Sequence, residues 1–405
     1  MSHDDSTGFH ASVDEHAAHI RELLSSISPA DETVPLAAAL GRVTVAEILS
    51  PVDLPLFRNS QMDGFAVHSG DLAALGDGHP VALPIVGEIA ARPLEPAPLE
   101  PGTTVRIMTG AVVPEGADAV VPVEDTTTAG DLVTIARARA VGEYVRERGS
   151  DLTAGTPLLP AGLRLGSRHL AALAAAGIGS VTVRSRVRVA VITTGSELVG
   201  VGSVPTLGQV FDANSVAVQA AVDAAGAAVS FTARVTDDVT AMLEALHLAA
   251  AVSDVIVTSG GISMGDYEVV REALEPLGAR VGHVRMQPGG PQATASIDGV
   301  PVLCFPGNPV STQLSVEVFL SPLLREWAGL EAPPRTPRVL SGAVRSVPAK
   351  RQFLRGRLLP DGRVETVSGP GSHLVAGLAA SDVLIDVPLD TIHLEEGSTV
   401  DTWTL

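Results

Sequence analysis

Lys350 is the only lysine among the 27 lysine and arginine residues of this 405-residue sequence. A phosphate-binding loop of the Walker A type needs a lysine directly after its second glycine. A Schiff base with a carbonyl substrate needs a lysine amine. Because the apolar middle of the chain contains no lysine, the sequence excludes both kinds of site there.

Cysteine, aromatic residues and positive charge are scarce as well. Cys304, the only cysteine, excludes an internal disulfide and a metal site of several cysteines, and its apolar surroundings predict a core position. The net charge of -19 and the aromatic content of 3% argue against nucleic acid as a partner, because that binding depends on cationic surface and stacking. Without a long apolar run or a secretion signal, we expect a cytoplasmic protein with no membrane partner.

Three turns rich in glycine are the most informative feature that the sequence does contain. They are 193–197 (TTGSE), 258–266 (TSGGISMGD) and 306–309 (PGNP), and each one ends or follows a short apolar run. Apolar runs that alternate with helical patterns predict a mostly parallel sheet with helices on both faces. In such sheets ligands bind beyond the carboxyl ends of the strands, where helix N-termini favour anions and glycine permits close approach. We therefore expect an anionic ligand at these turns.

Hydrophobic periodicity divides the chain into parts of different structure and predicts an α/β multidomain protein. The predicted domains are a composite N-terminal domain of 1–50 with 147–185, an inserted β-rich domain of 51–146, a central α/β domain of 186–331 and a small C-terminal β domain of 338–405. In the central domain, helical patterns cover 214–225, 238–251, 266–277 and 309–328. Asn214, Asp266 and Asn308 are candidate N-caps of three of these helices.

Several segments, in this order along nearly the whole chain, resemble the MoeA family, the molybdenum insertases of molybdenum-cofactor synthesis. The segment 258–266 together with 306–311 is similar to the signature of the family's molybdopterin-binding domain. The segments 60–66 (SQMDGFA) and 106–111 (RIMTGA) are similar to stretches that are more specific to MoeA proteins. Two further stretches with the same similarity are 144–155 and 371–373 (GSH).

The resemblance implies an enzyme that transfers molybdenum from molybdate to adenylated molybdopterin, cleaves the phosphoanhydride and releases AMP. It implies a homodimer, with the upstream adenylating enzyme and molybdoenzyme apoproteins as further partners. Cleavage of a phosphoanhydride depends mainly on charge neutralisation, and Mg²⁺ held by carboxylates commonly supplies it. We therefore expect Mg²⁺ as a cofactor, with molybdate and adenylated molybdopterin as substrates.

Acidic residues at the ends of loops, together with the family match, provide the candidate catalytic residues. The candidates for catalysis are Asp63, Thr109, Glu197, Asp237 and Asp266, and the candidate metal ligands are Glu197, Asp266 and Asp63. Each carboxylate also has a purely structural alternative, as a helix cap, a first-turn acid or part of an Asp-Gly turn. The candidates for binding the pterin are Thr194, Gly195, Ser259, Gly260, Gly261, Ser263, Gly265, Arg285, Pro306, Gly307, Asn308 and Ser372.

The chain departs from the family pattern between the second and third turns. Many members have Lys-Pro-Gly-Lys-Pro there, whereas this chain has 287–291 (QPGGP), so Gln287 and Gly290 replace two lysines. Arg285 precedes Gln287 by two residues, and both side chains face the same side of an extended strand. We therefore hypothesise that Arg285 supplies the missing positive charge.

Other functions stay open at this stage. The loss of the two lysines is compatible with a catalytically weakened molybdopterin-binding paralog or an assembly scaffold. An adenylating enzyme of the related single-domain family is less compatible with the extra segments 51–146 and 338–405. A nicotinamide dehydrogenase is disfavoured because none of the three turns is a G-x-G-x-x-G turn. The sequence does not separate molybdate from tungstate as the substrate.

Overall fold

The computed structural model describes residues 8–77, 79–262 and 268–405. Contacts divide the chain into a middle unit of residues 33–183 and a terminal unit that contains the residues before and after it. No helix in the described ranges is long and apolar enough to cross a membrane. The predicted site residues Ser263, Gly265 and Asp266 lie outside the described residues.

The structure contains helices and short strands in both units. The helices are α1 (Val13–Leu23), α2 (Ser167–Ala175), α3 (Ala213–Ala224), α4 (Val239–Ala250), α5 (Val269–Leu274), α6 (Pro309–Ser315), α7 (Ser321–Trp327) and α8 (Val375–Ala379). The strands are β1 (Phe9–Ala11), β2 (Asp31–Pro35), β3 (Ile48–Leu49), β4 (Asn59–Ser60), β5 (Gly64–Val67), β6 (Val81–Ile89), β7 (Thr104–Ile107), β8 (Ala119–Pro122), β9 (Thr126–Ala129), β10 (Leu132–Ile135), β11 (Val145–Arg146), β12 (Pro157–Leu159), β13 (Ser180–Arg184), β14 (Arg188–Thr194), β15 (Leu198–Val199), β16 (Val210–Phe211), β17 (Ala228–Val235), β18 (Val255–Ser259), β19 (Arg280–Val284), β20 (Met286–Gln287), β21 (Pro291–Ile297), β22 (Val300–Phe305), β23 (Arg335–Val339), β24 (Val344–Arg345), β25 (Arg351–Leu358), β26 (Val364–Thr366), β27 (Val383–Val387), β28 (His393–Leu394) and β29 (Thr399–Thr404).

A seven-stranded sheet organises the terminal unit, with the order β1-β19-β21-β22-β18-β14-β17. Strand β14 runs parallel to β17 and β18, and β18 runs parallel to β22. Only β21 is antiparallel to its two neighbours, β19 and β22. The sheet is therefore mostly parallel, and the α/β fold class predicted from the apolar runs is confirmed.

Both faces of this sheet are covered, because neighbouring residues of its central strands belong to two different hydrophobic clusters. Val191 and Val257 join a cluster with helices α1, α3 and α6. Ile192 and Ile256 join another cluster with helices α4 and α5. Since successive side chains of a strand point to opposite faces, both faces of β14 and β18 are buried. This explains why their sequences are apolar runs without alternation.

The middle unit is rich in β-structure, as its sequence predicts. It contains a six-stranded sheet with the order β8-β5-β7-β6-β10-β9 and three hydrophobic clusters. The C-terminal part of the terminal unit has its own sheet, with the order β20-β25-β27-β29-β23 and with β26 paired to β25. Strand β20 comes from the central part of the sequence. It therefore carries the chain from the seven-stranded sheet into the C-terminal sheet.

The N-terminal segment packs with the terminal unit. Ser12 and Glu15 form the capping box that begins α1, and β1 pairs in parallel with β19. Residues 33–50 instead share a hydrophobic cluster and strand pairs with residues 157–183. The predicted joining of 1–50 with 147–185 is therefore wrong for its first 32 residues. The apolar stripe of α1 predicts that the helix packs, but it does not predict its partner.

One histidine of α1 is buried as a neutral side chain. His16 is 2% exposed, stacks on Phe9 with 5.3 Å between the ring centroids and meets Phe319 edge-on at 4.9 Å. Its Nε2 atom has no hydrogen-bond partner within the described residues. Burial therefore lowers the pKa of His16 to about 3, from the ordinary value of 6.5.

This burial predicts a pH-dependent stability. Because the pKa of His16 is lower in the folded state, the unfolded chain takes up the proton first as the pH falls below 6.5. The free energy of unfolding is expected to lose about 2 kcal/mol from this group between pH 8 and pH 5. Urea unfolding of the wild type and of His16→Phe at pH 8 and at pH 5 measures this loss of unfolding free energy. A loss of the same size in His16→Phe would contradict the assignment.

Candidate functional site

A cleft of about 1010 Å³ opens in the terminal unit at the carboxyl ends of three strands. Thr194 ends β14, Ser259 ends β18 and Pro306 follows β22, and all three residues line the cleft. The cleft is also lined by residues 286–291, by Lys350 and by residues 370–373. The described parts of the three glycine turns therefore meet in one place, as parallel strand ends do.

Glycine is required where the three turns touch. Gly260 has a φ of +98°, and a Cβ atom there would lie 2.8 Å from the carbonyl oxygen of Thr194. A Cβ atom on Gly307 would lie 3.2 Å from the Cα atom of Gly260. The N–H of Gly260 donates to the carbonyl oxygen of Phe305 at 3.0 Å. The turns therefore pack closely together here, and the glycines on the floor of the cleft present backbone without side chains.

The side chain of Asn214 ties two of these turns together. Its Nδ2 atom donates to Ser259 Oγ at 2.8 Å and to the carbonyl oxygen of Gly307 at 2.7 Å. The prediction that Asn214 caps its helix is wrong, because Asp212 caps α3 by accepting the N–H of Ser215. Asp212 and Asn214 are both residue types that commonly cap helices, and they lie two positions apart. The sequence pattern therefore does not show which of them is the cap, and it does not identify the role of Asn214.

The change Asn214→Ala is expected to lower the free energy of unfolding by about 2 kcal/mol, because the buried hydroxyl of Ser259 and the carbonyl oxygen of Gly307 lose their shared donor. Gln219→Ala is a matched control on the same helix, since the bond that Gln219 donates goes to Ser215 on α3 itself. That control is expected to change the free energy of unfolding by less than about 0.5 kcal/mol. Urea unfolding of the three proteins measures both values, and equal losses would contradict the bridging role.

Two of the predicted carboxylates lie at one corner of the cleft. Asp237 Oδ2 accepts the N–H of Ser196 at 3.0 Å, and the N–H of Asp237 donates to Ser196 Oγ at 3.3 Å. Glu197 lies beside Gly195, where an added Cβ atom would be 2.5 Å from the Glu197 carboxylate. Glu197, Gly195 and Asp237 all line the cleft. Within the described residues no group of three acidic, histidine or cysteine side chains could hold a metal ion.

The remaining predicted pterin-binding residues of the turns also line the cleft. They are Gly261, Pro306, Gly307, Asn308 and Ser372. Asn308 occupies the N-cap position of α6 without a side-chain capping bond. The carbonyl oxygen of Ser372 accepts the N–H of Val310 at 3.1 Å. The turn of the C-terminal sheet is therefore bonded to the first turn of α6.

Arg355 holds that C-terminal turn in place, and no sequence pattern predicts this role. It is 1% exposed and donates to Ser368 Oγ at 3.2 Å and to the carbonyl oxygen of Gly369. Desolvation lowers the pKa of Arg355. A buried arginine inside a strand resembles any other strand arginine until the fold shows what surrounds it.

Arg285 does not line the cleft. It lines a second cavity, of about 640 Å³, together with Asp14, Arg351 and Asp386. The predicted alternation with Gln287 fails because the chain leaves β19 at residue 284 and joins β20 at residue 286, with a new neighbouring strand. Arg285 lies between the two strands, so it does not share one alternating pattern with Gln287, and the expectation that both face the same side is wrong.

Asp63 and Thr109 belong to the middle unit, where they contact each other. Asp63 Oδ1 accepts both the N–H and the hydroxyl of Thr109, each at 2.7 Å. These two bonds hold the pKa of Asp63 below its ordinary value, and the bond from the backbone N–H has the larger effect. Asp63 is therefore a carboxylate at neutral pH, and Thr109 fixes its direction.

The fold is α/β, and its cleft lies at the carboxyl ends of the strands, which is where such folds bind their ligands. Three family models match the chain in succession. They are the MoeA N-terminal region (domain I and II) at residues 11–177, the probable molybdopterin binding domain at 190–326, and the MoeA C-terminal region (domain IV) at 337–405. The resemblance seen in the sequence is therefore confirmed, and the chain belongs to the MoeA family.

Individual relatives match over nearly their whole length. Molybdopterin molybdenumtransferase 2 of Mycobacterium tuberculosis (strain ATCC 25618 / H37Rv) is 40% identical, covering 97% of this chain and 99% of the relative. Molybdopterin molybdenumtransferase of Nostoc sp. (strain PCC 7120) is 36% identical, covering 91% of this chain and 87% of the relative. The solved structure of the molybdopterin biosynthesis MoeA protein from Pyrococcus horikosii has a TM-score of 0.80 at 30% identity, covering 98% of this chain and 99% of that one.

Proposed function

We propose that this protein is a molybdopterin molybdenumtransferase. It transfers molybdenum from molybdate to adenylated molybdopterin, cleaves the phosphoanhydride and releases AMP. One observation carries the proposal: glycine turns from three parallel strands meet at a cleft whose corner holds Glu197 and Asp237. Relatives with 40% and 36% identity have this enzyme name over nearly their whole length.

The glycine floor supports binding of an anionic pterin. Gly260 and Gly261 present backbone without side chains, so the substrate can approach the main chain closely. Asn214 holds Ser259 and Gly307 at fixed positions before the substrate arrives. A site held rigid in this way loses little entropy when its ligand binds, which favours both affinity and orientation.

The carboxylate corner fits Mg²⁺, which we propose as the cofactor. Glu197 and Asp237 offer hard oxygen ligands, and the bond from Ser196 occupies only the Oδ2 atom of Asp237. When bound, Mg²⁺ supplies charge neutralisation to the phosphoanhydride. The protein's own part is to orient the two carboxylates, and the paired bonds between Asp237 and Ser196 do this for one of them. We also propose Asp266 as a third ligand and Asp63 and Thr109 as catalytic residues, from the family resemblance.

The alternative functions are less favourable. A paralog that only binds the pterin is not favoured, because the full-length relatives are named as transferases. A single-domain adenylating enzyme does not agree with the matched N-terminal and C-terminal regions. We further propose a homodimer that acts in the cytoplasm and receives its substrate from an adenylating enzyme. Light scattering of the purified protein tests the dimer.

Cofactor formation by the purified protein tests the proposed function. The assay contains adenylated molybdopterin, Mg²⁺ and micromolar molybdate, and it measures AMP release and activation of a molybdenum-free apoenzyme. AMP release that depends on molybdate, together with activation, is the expected result. Tight binding of the adenylated pterin without turnover would contradict the proposal and favour the scaffold. Tungstate in place of molybdate shows which anion the enzyme prefers.

A further inference from the structure

The charges that line the cleft are unevenly distributed. Among the described residues that line it, the acidic ones are Glu197, Asp212, Asp237 and Glu268. Lys350 is the only lysine or arginine among those same residues. A chain of net charge -19 that binds an anionic substrate needs local positive charge in its site. The chain's single lysine therefore lies at the place where that charge is required.

The wall next to Lys350 presents a fixed amide. Lys350 directly precedes β25, and the first residues of β25 pair in parallel with β20, placing Gln287 beside Gln352. Gln352 is 1% exposed, and its Nε2 atom donates to Gln287 Oε1 at 2.6 Å. Because the oxygen of the Gln287 amide accepts this bond, its Nε2 atom is left to donate. Gln287 and Lys350 both line the cleft.

We propose that Lys350 Nζ and Gln287 Nε2 together bind a tetrahedral oxyanion in the cleft. The inference rests on the proposed function, in which the oxyanion is either a phosphate of the substrate's phosphoanhydride or molybdate. The flexible ammonium supplies the charge, and the fixed amide supplies a directed hydrogen bond. In this proposal Lys350 supplies the positive charge that Arg285 was hypothesised to supply. Gln287, which replaces one of the family lysines, supplies a hydrogen bond beside it.

Anion binding by charge variants tests the inference. Calorimetric titrations of the full-length protein use molybdate in one series and inorganic pyrophosphate in the other. Lys350→Ala is expected to weaken binding of at least one anion by about tenfold, because a charge-assisted bond is lost. Lys350→Arg is expected to restore most of that affinity, and Gln287→Lys to exceed the wild type. Lys350 is exposed, so its two substitutions leave the fold intact, and circular dichroism checks all the variants.

Arg345→Ala is the matched control, because Arg345 is an exposed cation on β24 that lines neither described cavity. It is expected to change neither affinity. Loss of pyrophosphate binding alone in Lys350→Ala identifies the phosphoanhydride as the ligand, and loss of molybdate binding alone identifies molybdate. Equal affinities of wild type and Lys350→Ala for both anions overturn the inference. A tenfold loss in Arg285→Ala without any loss in Lys350→Ala overturns it as well.

The same variants separate this inference from the proposed function. A wild-type protein that binds the anions through Lys350 but releases no AMP overturns the proposed function and leaves the inference standing. The opposite outcome is a Lys350→Ala enzyme that releases AMP with an unchanged KM for molybdate and an unchanged affinity for the adenylated pterin. That outcome overturns the inference and leaves the proposed function standing. The KM for molybdate is informative because a change limited to folding would alter the amount of active enzyme, and therefore kcat, instead.

Discussion

Gly260→Ala is expected to lower kcat/KM for AMP release by about 100-fold and the free energy of unfolding by about 3 kcal/mol. The added Cβ atom would lie 2.8 Å from the Thr194 carbonyl oxygen, in a backbone conformation with φ of +98°. The same Cβ atom would lie 2.9 Å from Thr194 Oγ1. Because the nearest contact is main chain, we expect the clash to be relieved by separation of the turns after β14 and β18. That separation displaces the floor on which the substrate is proposed to bind.

Gly299→Ala separates the two causes of this expected loss. Gly299 has a φ of +80°, but a Cβ atom there would have no neighbour within 4 Å. It lies in the turn between β21 and β22 and does not line the cleft. This control is expected to lose about 1 kcal/mol of unfolding free energy and to keep its kcat/KM. If both variants kept full activity, the packed turns would not be the substrate floor.

Glu197→Gln is expected to lower kcat by about 100-fold with little change in stability. The change keeps the size of the side chain but removes the charge from the corner shared with Asp237. Because Mg²⁺ is proposed to bind there, the Mg²⁺ concentration for half-maximal AMP release is expected to rise as well. Steady-state assays over a Mg²⁺ titration measure both effects.

Glu244→Gln is the control for this prediction, because Glu244 is exposed on α4 and does not line the cleft. Its kcat and its Mg²⁺ dependence are expected to match the wild type. A Glu197→Gln enzyme with a normal kcat would contradict the role of the carboxylate in turnover. A lower kcat with an unchanged Mg²⁺ dependence would assign Glu197 to the substrate and not to the metal ion.

The strands and turns of the terminal unit were predictable because their cause is local. The apolar run of β14 and the turn at Gly195 are adjacent in sequence, and so are β18 and the turn at Gly260. Parallel strands place their carboxyl ends at the same edge, so the pattern also indicated that Glu197 and Ser259 face one site. Helices α3 and α4 lie within one residue of their predicted bounds for the same local reason.

The misplaced residues fail for a different reason. Strand alternation predicts that Arg285 and Gln287 share a face, but it holds only within one strand, and the chain changes sheets at that point. The local pattern predicts Asn214 as a helix cap, whereas the acceptors of its side chain are 45 and 93 residues away in the chain. Helix α1 was joined to the wrong domain because an amphipathic stripe does not specify its partner. In each case the missing information was a contact between distant segments.

The sequence by itself determined the family, the α/β class, the glycine turns and the acidic residues at the strand ends. These depend on residue type and on spacing over a few positions, which the chain fixes before it folds. Only the tertiary structure decided that Lys350 faces the cleft, that Asn214 bridges two turns and that Arg355 supports a third. Those roles depend on which side chains meet across the fold, and a single sequence does not encode such meetings in any local pattern.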